Sequence, residues 1–104
     1  MRPTVHAILE YTYVGDYLDR RDELRVAHLA KAWAAVDSGE LLLGGAVGDG
    51  PYTALLIFTG EDPLSAARAF AEVDPYVTGG LVLSWEAKPW TTVVGNAAAA
   101  SVRP

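Results

Sequence analysis

The segment ELLLGGAVGDGPYTALLIF, residues 40–58, gives the clearest indication of the fold of this chain. It contains two apolar runs, residues 40–47 and 51–58, which the tripeptide GDG separates. A short glycine-containing connection between two such runs is typical of a β-hairpin, because glycine adopts the backbone angles that tight turns require. The stretch therefore predicts two paired antiparallel strands in the middle of the chain.

Helical patterns flank this hairpin on both sides. Upstream, Asp16 can cap a helix, and the helical pattern continues to a stop at Gly39. Downstream, Asp62 offers a second N-cap, and the following Pro63 suits the first position of a helix because proline has no N–H to donate. We therefore predict a helix on each side of the hairpin, the second over residues 63–73.

The outermost predicted elements are strands. Residues 5–13, VHAILEYTY, alternate in side-chain character and are rich in β-branched and aromatic residues, and residues 81–87, LVLSWEA, form the last apolar run. The order β-α-β-β-α-β is that of the ferredoxin-like α+β fold, in which two helices cover one face of a four-stranded antiparallel sheet. The other face would expose apolar and aromatic side chains, so we expect a second copy of the chain to cover it in a homodimer.

The length and composition indicate one folded domain. With 104 residues, of which 51% are hydrophobic and 20% charged, the chain can build a single core. We assign this domain to residues 1–95. Residues 96–104 have no clear pattern and are predicted to form a flexible C-terminal tail.

The charge and the N-terminal sequence exclude several function classes. A net charge of −5 offers no basic surface for a phosphate backbone, so no nucleic acid partner is expected. Without cysteine, the chain has neither a disulfide framework nor a thiolate metal site. The N-terminus does not resemble a signal peptide, and no apolar run approaches the roughly 20 residues of a membrane span. We therefore expect a cytoplasmic protein without membrane contact.

The first predicted helix carries two stripes of side chains. At about 100° per residue, the members of one apolar stripe, predicted to face the sheet as core, are Leu18, Val26, Leu29, Trp33 and Val36. The members of a second stripe along its edge are Arg21, Arg25, His28 and Ala32. This arrangement places His28 at the border between core and solvent, with two arginines in the turns before it.

The end of the second predicted helix carries an unusual carboxylate. The residues predicted to form the buried side of this helix are Ala66, Ala67, Phe70 and Val73. Asp74 follows them and would point inward, although Pro75 disfavours helical geometry at that position. A buried carboxylate needs a charged or hydrogen-bonding partner. The border stripe of the first helix offers His28, Arg25 and Arg21, so the sequence predicts a carboxylate–imidazole pair with guanidinium groups beside it.

Simpler interpretations of these residues stay open. Asp74 can serve only as a cap or turn residue before proline. His28 can be a surface or structural histidine, as we expect for His6. The two arginines can pair in solvent with Asp22 or Glu23. The sequence contains no glycine-rich phosphate loop before a helix, no nucleophile elbow and no histidine–carboxylate set at metal-ligand spacing.

Four segments in order carry a family likeness. They are RVAHL at 25–29, SGELLLGGAV at 38–47, DPYVTGGL at 74–81 and KPW at 88–90. None is specific alone, but their order and spacing resemble those of the YciI-like (YCII-related) family over residues 5–90.

The resemblance implies a dimeric α/β barrel whose cleft holds an active-site pair, His28 and Asp74. The family includes a dehydrochlorinase that acts on a chlorinated hydroxyhydroquinone. A lyase-type or isomerase-type enzyme is therefore implied, in which His28 moves a proton and Asp74 orients the imidazole, and such proton chemistry needs no cofactor. Arg25 and Arg21 would hold an anionic oxygen of a small organic substrate. The residues expected to form the cleft walls are Tyr11, Tyr76 and Trp85.

Three functions remain open at this point. The first is a small lyase or isomerase-like enzyme that uses His28 and Asp74. The second is a non-catalytic dimer that binds or senses a metabolite, and the third is a cofactor-free monooxygenase whose substrate activates oxygen itself. Because a fold and a pocket do not fix a reaction, the sequence alone does not establish turnover.

Overall fold

The structure, a computed structural model, describes residues 5–104. Four antiparallel strands form one sheet in the order β2-β3-β1-β4. The strands are β1 (His6–Tyr13), β2 (Leu41–Val47), β3 (Thr53–Phe58) and β4 (Val82–Trp90). The helices are α1 (Tyr17–Asp37), α2 (Pro63–Val73) and the single turn α3 (Pro75–Thr78). This order confirms the predicted ferredoxin-like α+β fold of the dimeric α/β barrel class, with α3 as an addition.

Strand β4 is longer than predicted. It continues past Ala87 to Trp90, and its register pairs Ala87 with Leu9 and Pro89 with Ala7 of β1. Proline is tolerated there because β4 is an edge strand, in which one side of the backbone needs no hydrogen-bonded neighbour.

The core lies between the sheet and α2. Alternate residues of β1 and β3, such as Leu9 and Phe58, meet Ala67 and Phe70 of α2 in one buried cluster. The helix starts as predicted, since the Asp62 side chain accepts a hydrogen bond from the Ser65 N–H at 3.3 Å.

One residue on the buried side of α2 was predicted wrongly. Val73 is 51% exposed, whereas Ala71, which the prediction omitted, is fully buried. The buried residues of the helix, at positions 63, 67, 70 and 71, follow the spacing of one helical face, and Val73 lies outside that face.

The predicted core stripe of α1 is wrong for four of its five members. The exposed fractions are 50% for Leu18, 82% for Val26, 40% for Leu29 and 64% for Trp33, and only Val36 packs partly against the core. The helix instead buries Tyr17 and partly buries Leu24. It contacts α3 and β2 rather than covering the centre of the sheet, so the apolar stripe borders open space.

The sheet face opposite the helices carries an apolar row. Leu43 of β2 pairs with Ile57 of β3, which pairs with Ile8 of β1. These residues alternate with the buried ones, which places them on the other face of the sheet. Beyond this row the face is charged, and Lys88 of β4 forms an ion pair with Glu10 of β1 at 2.9 Å.

The C-terminal segment turns back on itself after β4. The Ala100 N–H donates to the Thr92 carbonyl at 3.1 Å, and the Val102 N–H donates to the Val93 carbonyl at 2.9 Å. The Thr92 hydroxyl also lies 2.7 Å from Nδ1 of His6, which fits the structural role expected for that histidine. The flexibility expected for residues 96–104 stays a prediction.

No helix within residues 5–104 combines the length and the apolar character that crossing a bilayer requires.

Several tyrosines pack in or beside the core. Burial is the main cause that raises the pKa values of Tyr11, Tyr13 and Tyr76 above their ordinary value of 10.0. Each of these phenols is therefore held in its neutral form by the folded structure.

We expect Phe58→Ala to lower the free energy of unfolding by about 3–5 kcal/mol, because it removes a large side chain that is 1% exposed. Trp33→Ala should cost far less, since most of that indole already contacts solvent. Urea denaturation of the two variants measures the difference. A larger loss in Trp33→Ala would contradict the placement of α1.

We also expect the stability of the fold to decline as the pH rises above 10. The unfolded chain releases tyrosine protons near its ordinary pKa of 10.0, whereas the folded chain retains those of Tyr11, Tyr13 and Tyr76. The stabilisation is therefore complete below that pH and is lost above it. Absorbance titration should detect fewer than the five tyrosinates of the unfolded protein while the native fold persists. Ionisation of all five near pH 10 without unfolding would contradict the burial.

Candidate active site

Asp74 lies at the junction of α2 and α3. Its backbone is extended, with φ −65° and ψ 124°, as the following Pro75 favours. Its side chain caps α3, because Oδ1 accepts a hydrogen bond from the Tyr76 N–H at 3.1 Å. The break between the helices therefore turns a fully buried carboxylate back into the protein.

Three donors surround the Asp74 carboxylate. Oδ1 lies 2.7 Å from Nδ1 of His28 and also accepts from the Tyr76 N–H, while Oδ2 accepts from the Tyr11 hydroxyl at 2.6 Å. Such donors compensate the cost of burying a charged carboxylate. An ionised carboxylate can only accept, so Nδ1 of His28 carries the hydrogen in this contact. In the neutral imidazole, Nε2 is then the nitrogen with a free lone pair.

Two aromatic rings fix the orientation of His28. The Tyr76 ring stacks on the imidazole with centroids 3.7 Å apart and an interplanar angle of 4°. Phe70 approaches from the side, edge to face, at 6.5 Å. The imidazole is therefore held by one hydrogen bond and two rings, and its side chain remains 14% exposed.

A cleft of about 390 Å³ opens beside His28, between α1 and strands β2 and β3. Arg21 and Arg25 line it toward the start of α1, and Leu29 and Trp33 line it toward the end. The cleft exists because α1 does not lie flat on this half of the sheet. Part of the apolar stripe predicted as core therefore forms the wall of a cavity.

The arginines in the cleft have no carboxylate partner. Among residues 5–104, no Asp or Glu oxygen lies within 4.0 Å of Arg21 or Arg25, so the predicted alternative of solvated pairs with Asp22 or Glu23 is absent. The Arg21 guanidinium carbon lies 5.6 Å from the centre of the Tyr17 ring, and its Nε is buried without a hydrogen-bond partner. These groups leave an unbalanced positive charge in the cleft.

The positive charges of the two arginines also act on neighbouring groups of the cleft. Burial raises the pKa of the Tyr76 phenol, while the positive charges of Arg25 and Arg21 act in the opposite direction. An anion bound in the same place would experience that positive field at short range. Within residues 5–104, no group of three His, Asp or Glu side chains is arranged to hold a metal ion.

The structure brings together most of the predicted site residues. His28, Arg21, Arg25 and Tyr76 line one cleft, and Asp74 lies directly behind His28. Their roles in binding and catalysis stay predictions.

Two predicted wall residues lie outside the cleft. Tyr11 is 1% exposed and reaches the site from behind, through its hydrogen bond to Asp74. Trp85 pairs with Tyr11 across β1 and β4 and packs against the core. Aromatic character alone does not distinguish a core side chain from a cleft wall.

Two cleft tyrosines were missed. The rings of Tyr13 and Tyr17 stack at 3.8 Å and 18°, and both line the cleft. Strand alternation could have identified Tyr13, because it continues the face of Tyr11 toward the end of β1. For Tyr17, no sequence signal indicated that the first turn of α1 reaches the cleft.

Solved structures with this fold include two enzymes. The 5-chloro-2-hydroxyhydroquinone dehydrochlorinase TftG of Burkholderia phenoliruptrix, in complex with 2,5-dihydroxybenzoquinone, superposes with a TM-score of 0.65 and 21% identity over 84% of this chain and 94% of that chain. SnoaB, a cofactor-independent oxygenase from Streptomyces nogalater, superposes with a TM-score of 0.55 and 16% identity over 91% and 98% of the respective chains. At these identities the likeness establishes the fold.

Sequence comparison establishes the family. The chain is 33% identical to Protein YciI of Escherichia coli O6:H1 over an alignment of 87 positions. The match covers 76% of this chain and 89% of that protein, and the Shigella flexneri protein matches equally well. The model of the YCII-related domain matches residues 4–91. The chain therefore belongs to the YCII-related domain family.

Proposed function

We propose that this protein is a cofactor-independent enzyme of the lyase or isomerase type, which performs acid–base chemistry on a small organic substrate in the cleft. The observation that carries the proposal is the 2.7 Å contact between Nδ1 of His28 and the fully buried Asp74 carboxylate. A histidine oriented by a buried carboxylate at the wall of a cleft is the arrangement that general acid–base catalysis requires.

His28 is the proposed proton carrier. With Nδ1 hydrogen-bonded to Asp74, Nε2 is the nitrogen left to accept a proton from a substrate C–H or O–H. The imidazolium that forms is stabilised by the adjacent Asp74 carboxylate. Asp74 is therefore a positioning residue that also stabilises the charge on its neighbour, and Tyr76 keeps the ring in plane.

The arginines of the cleft are the proposed groups that stabilise negative charge on the substrate. When His28 removes a proton, the electron pair of the broken bond moves into the substrate and develops negative charge on an oxygen. Arg21 and Arg25 would stabilise that charge, because they lack carboxylate partners among the described residues. Expulsion of a leaving anion then gives a lyase reaction, whereas return of the proton to another atom gives an isomerisation.

Proteins of this fold support the proposal. TftG is a dehydrochlorinase, and removal of hydrogen chloride is an elimination that moves one proton. SnoaB is described as cofactor-independent, which is in keeping with chemistry carried by side chains alone. For the present chain, a binding or sensing role without turnover is the competing outcome of the experiment below.

We further propose that the protein is a homodimer formed through the open sheet face. The row Leu43–Ile57–Ile8 would otherwise remain in contact with water on a chain this small. A second copy offers the same row and so matches it in shape and polarity.

We expect His28→Gln to lower turnover by about 10²–10⁴-fold, because general acid–base catalysis typically contributes that factor. Chloride release from 5-chloro-2-hydroxyhydroquinone, together with deuterium incorporation into a panel of phenols and keto acids, measures proton transfer. Asp74→Asn should also reduce the rate, and the double variant should be little worse than His28→Gln, since the two residues act as one unit.

The matched control for these variants is Lys31→Gln, at an exposed position of α1 outside the cleft. Its rate should equal that of the unaltered protein. Unchanged turnover in His28→Gln would refute the catalytic role. Ligand binding by thermal shift without any product from the panel would favour the binding or sensing dimer.

Sedimentation velocity at low micromolar concentration should detect a dimer of the 11.1 kDa chain. Ile57→Glu should shift it to the monomer, because it places a charge in the middle of the apolar row. Ala69→Glu, at an exposed position of α2 on the other side of the sheet, is the matched control. A monomer at all concentrations would contradict the proposed interface.

A further inference from the structure

The cleft is a groove that runs along α1. Its α1 wall includes, in chain order, Arg21, Arg25, His28, Trp33 and Val36. At 1.5 Å per residue, Arg25 and Trp33 are about 12 Å apart along the helix axis, with His28 between them. The groove is therefore long compared with one aromatic ring, and its two ends differ in chemistry.

One end of the groove is adapted to an anion. The protein carries a net charge of −5, yet the described acidic residues leave both cleft arginines without a carboxylate within 4.0 Å. Guanidinium groups without a carboxylate partner form strong charge-assisted hydrogen bonds with a carboxylate or phenolate oxygen.

The other end of the groove is apolar. Trp33 on α1 lines the same cavity as Leu42 on β2, and both side chains are at least half exposed. Large apolar side chains that line an open groove favour a ligand that removes them from water. The apolar end thus complements a hydrocarbon or aromatic body rather than a second charged group.

We infer that the groove binds an elongated amphipathic anion, with its carboxylate or phenolate at Arg21 and Arg25 and its apolar body extended along α1 to Trp33. Trp33 is then a specificity-determining residue that selects for the length of the body. The inference names the substrate class for the proposed enzyme. Only the statement about the transferred proton rests on the proposed function; the binding of the anion does not. His28 is about 4.5 Å from Arg25 along the helix axis, so the transferred proton belongs to an atom close to the anionic group.

Calorimetric titration with three matched probes tests the inference. Phenylhexanoate carries both the charge and the body, phenylhexanol lacks the charge, and propionate lacks the body. Phenylhexanoate should bind at least about tenfold more tightly than either of the others, because each end contributes its own share of affinity.

Substitutions at the two ends of the groove identify which part of the ligand each end binds. Trp33→Ala should weaken phenylhexanoate about tenfold and leave propionate unchanged, whereas Arg25→Gln should weaken both acids but not phenylhexanol. Val26→Ala, also apolar and exposed on α1 but outside the cleft, is the matched control and should bind like the unaltered protein.

Equal affinity for the three probes, or equal effects of Trp33→Ala and Val26→Ala, would overturn the inference. The proposed function is judged separately, because His28→Gln should retain phenylhexanoate binding while losing proton transfer. Tight binding of phenylhexanoate together with unchanged turnover in His28→Gln would therefore support the ligand class and refute the catalytic role.

Discussion

The buried carboxylate of Asp74 joins three separate elements of the fold. It takes hydrogen bonds from Tyr11 on β1, His28 on α1 and Tyr76 at the start of α3. An ionised group removed from water is tolerated only while its acceptor sites are occupied. The sheet, the long helix and the turn after α2 are therefore tied together at one point by polar contacts.

This tie explains the unusual packing of α1. The helix is anchored near its middle by His28 and at its start by the stacked tyrosines Tyr13 and Tyr17, rather than by a continuous apolar face. Where no side chain fills the space between α1 and β2, the cleft remains. The packing of α1 that positions the His28 imidazole thus also leaves the cleft in which a ligand can contact that imidazole.

Sequence reasoning predicted the element order and the His28–Asp74 contact for physical reasons that act locally. Glycine and proline mark the ends of elements through their backbone restrictions, and a carboxylate aimed inward requires a partner. The packed face of α1 could not be predicted in this way. An apolar stripe indicates side chains that avoid water, and Trp33 fits that pattern whether a sheet or a ligand covers it.

Because Asp74 serves the fold and the site together, its two roles are not separable at that residue. An asparagine there must place an N–H₂ group against surroundings that supply only donors. Asp74→Asn therefore lowers the folding stability as well as the activity. His28 is different, since it lies at the cleft surface with 14% of its side chain exposed and its replacement leaves two of the three Asp74 donors in place. Substitution of His28 therefore tests the catalytic role of the pair, and substitution of Asp74 tests the contribution of the pair to the stability of the fold.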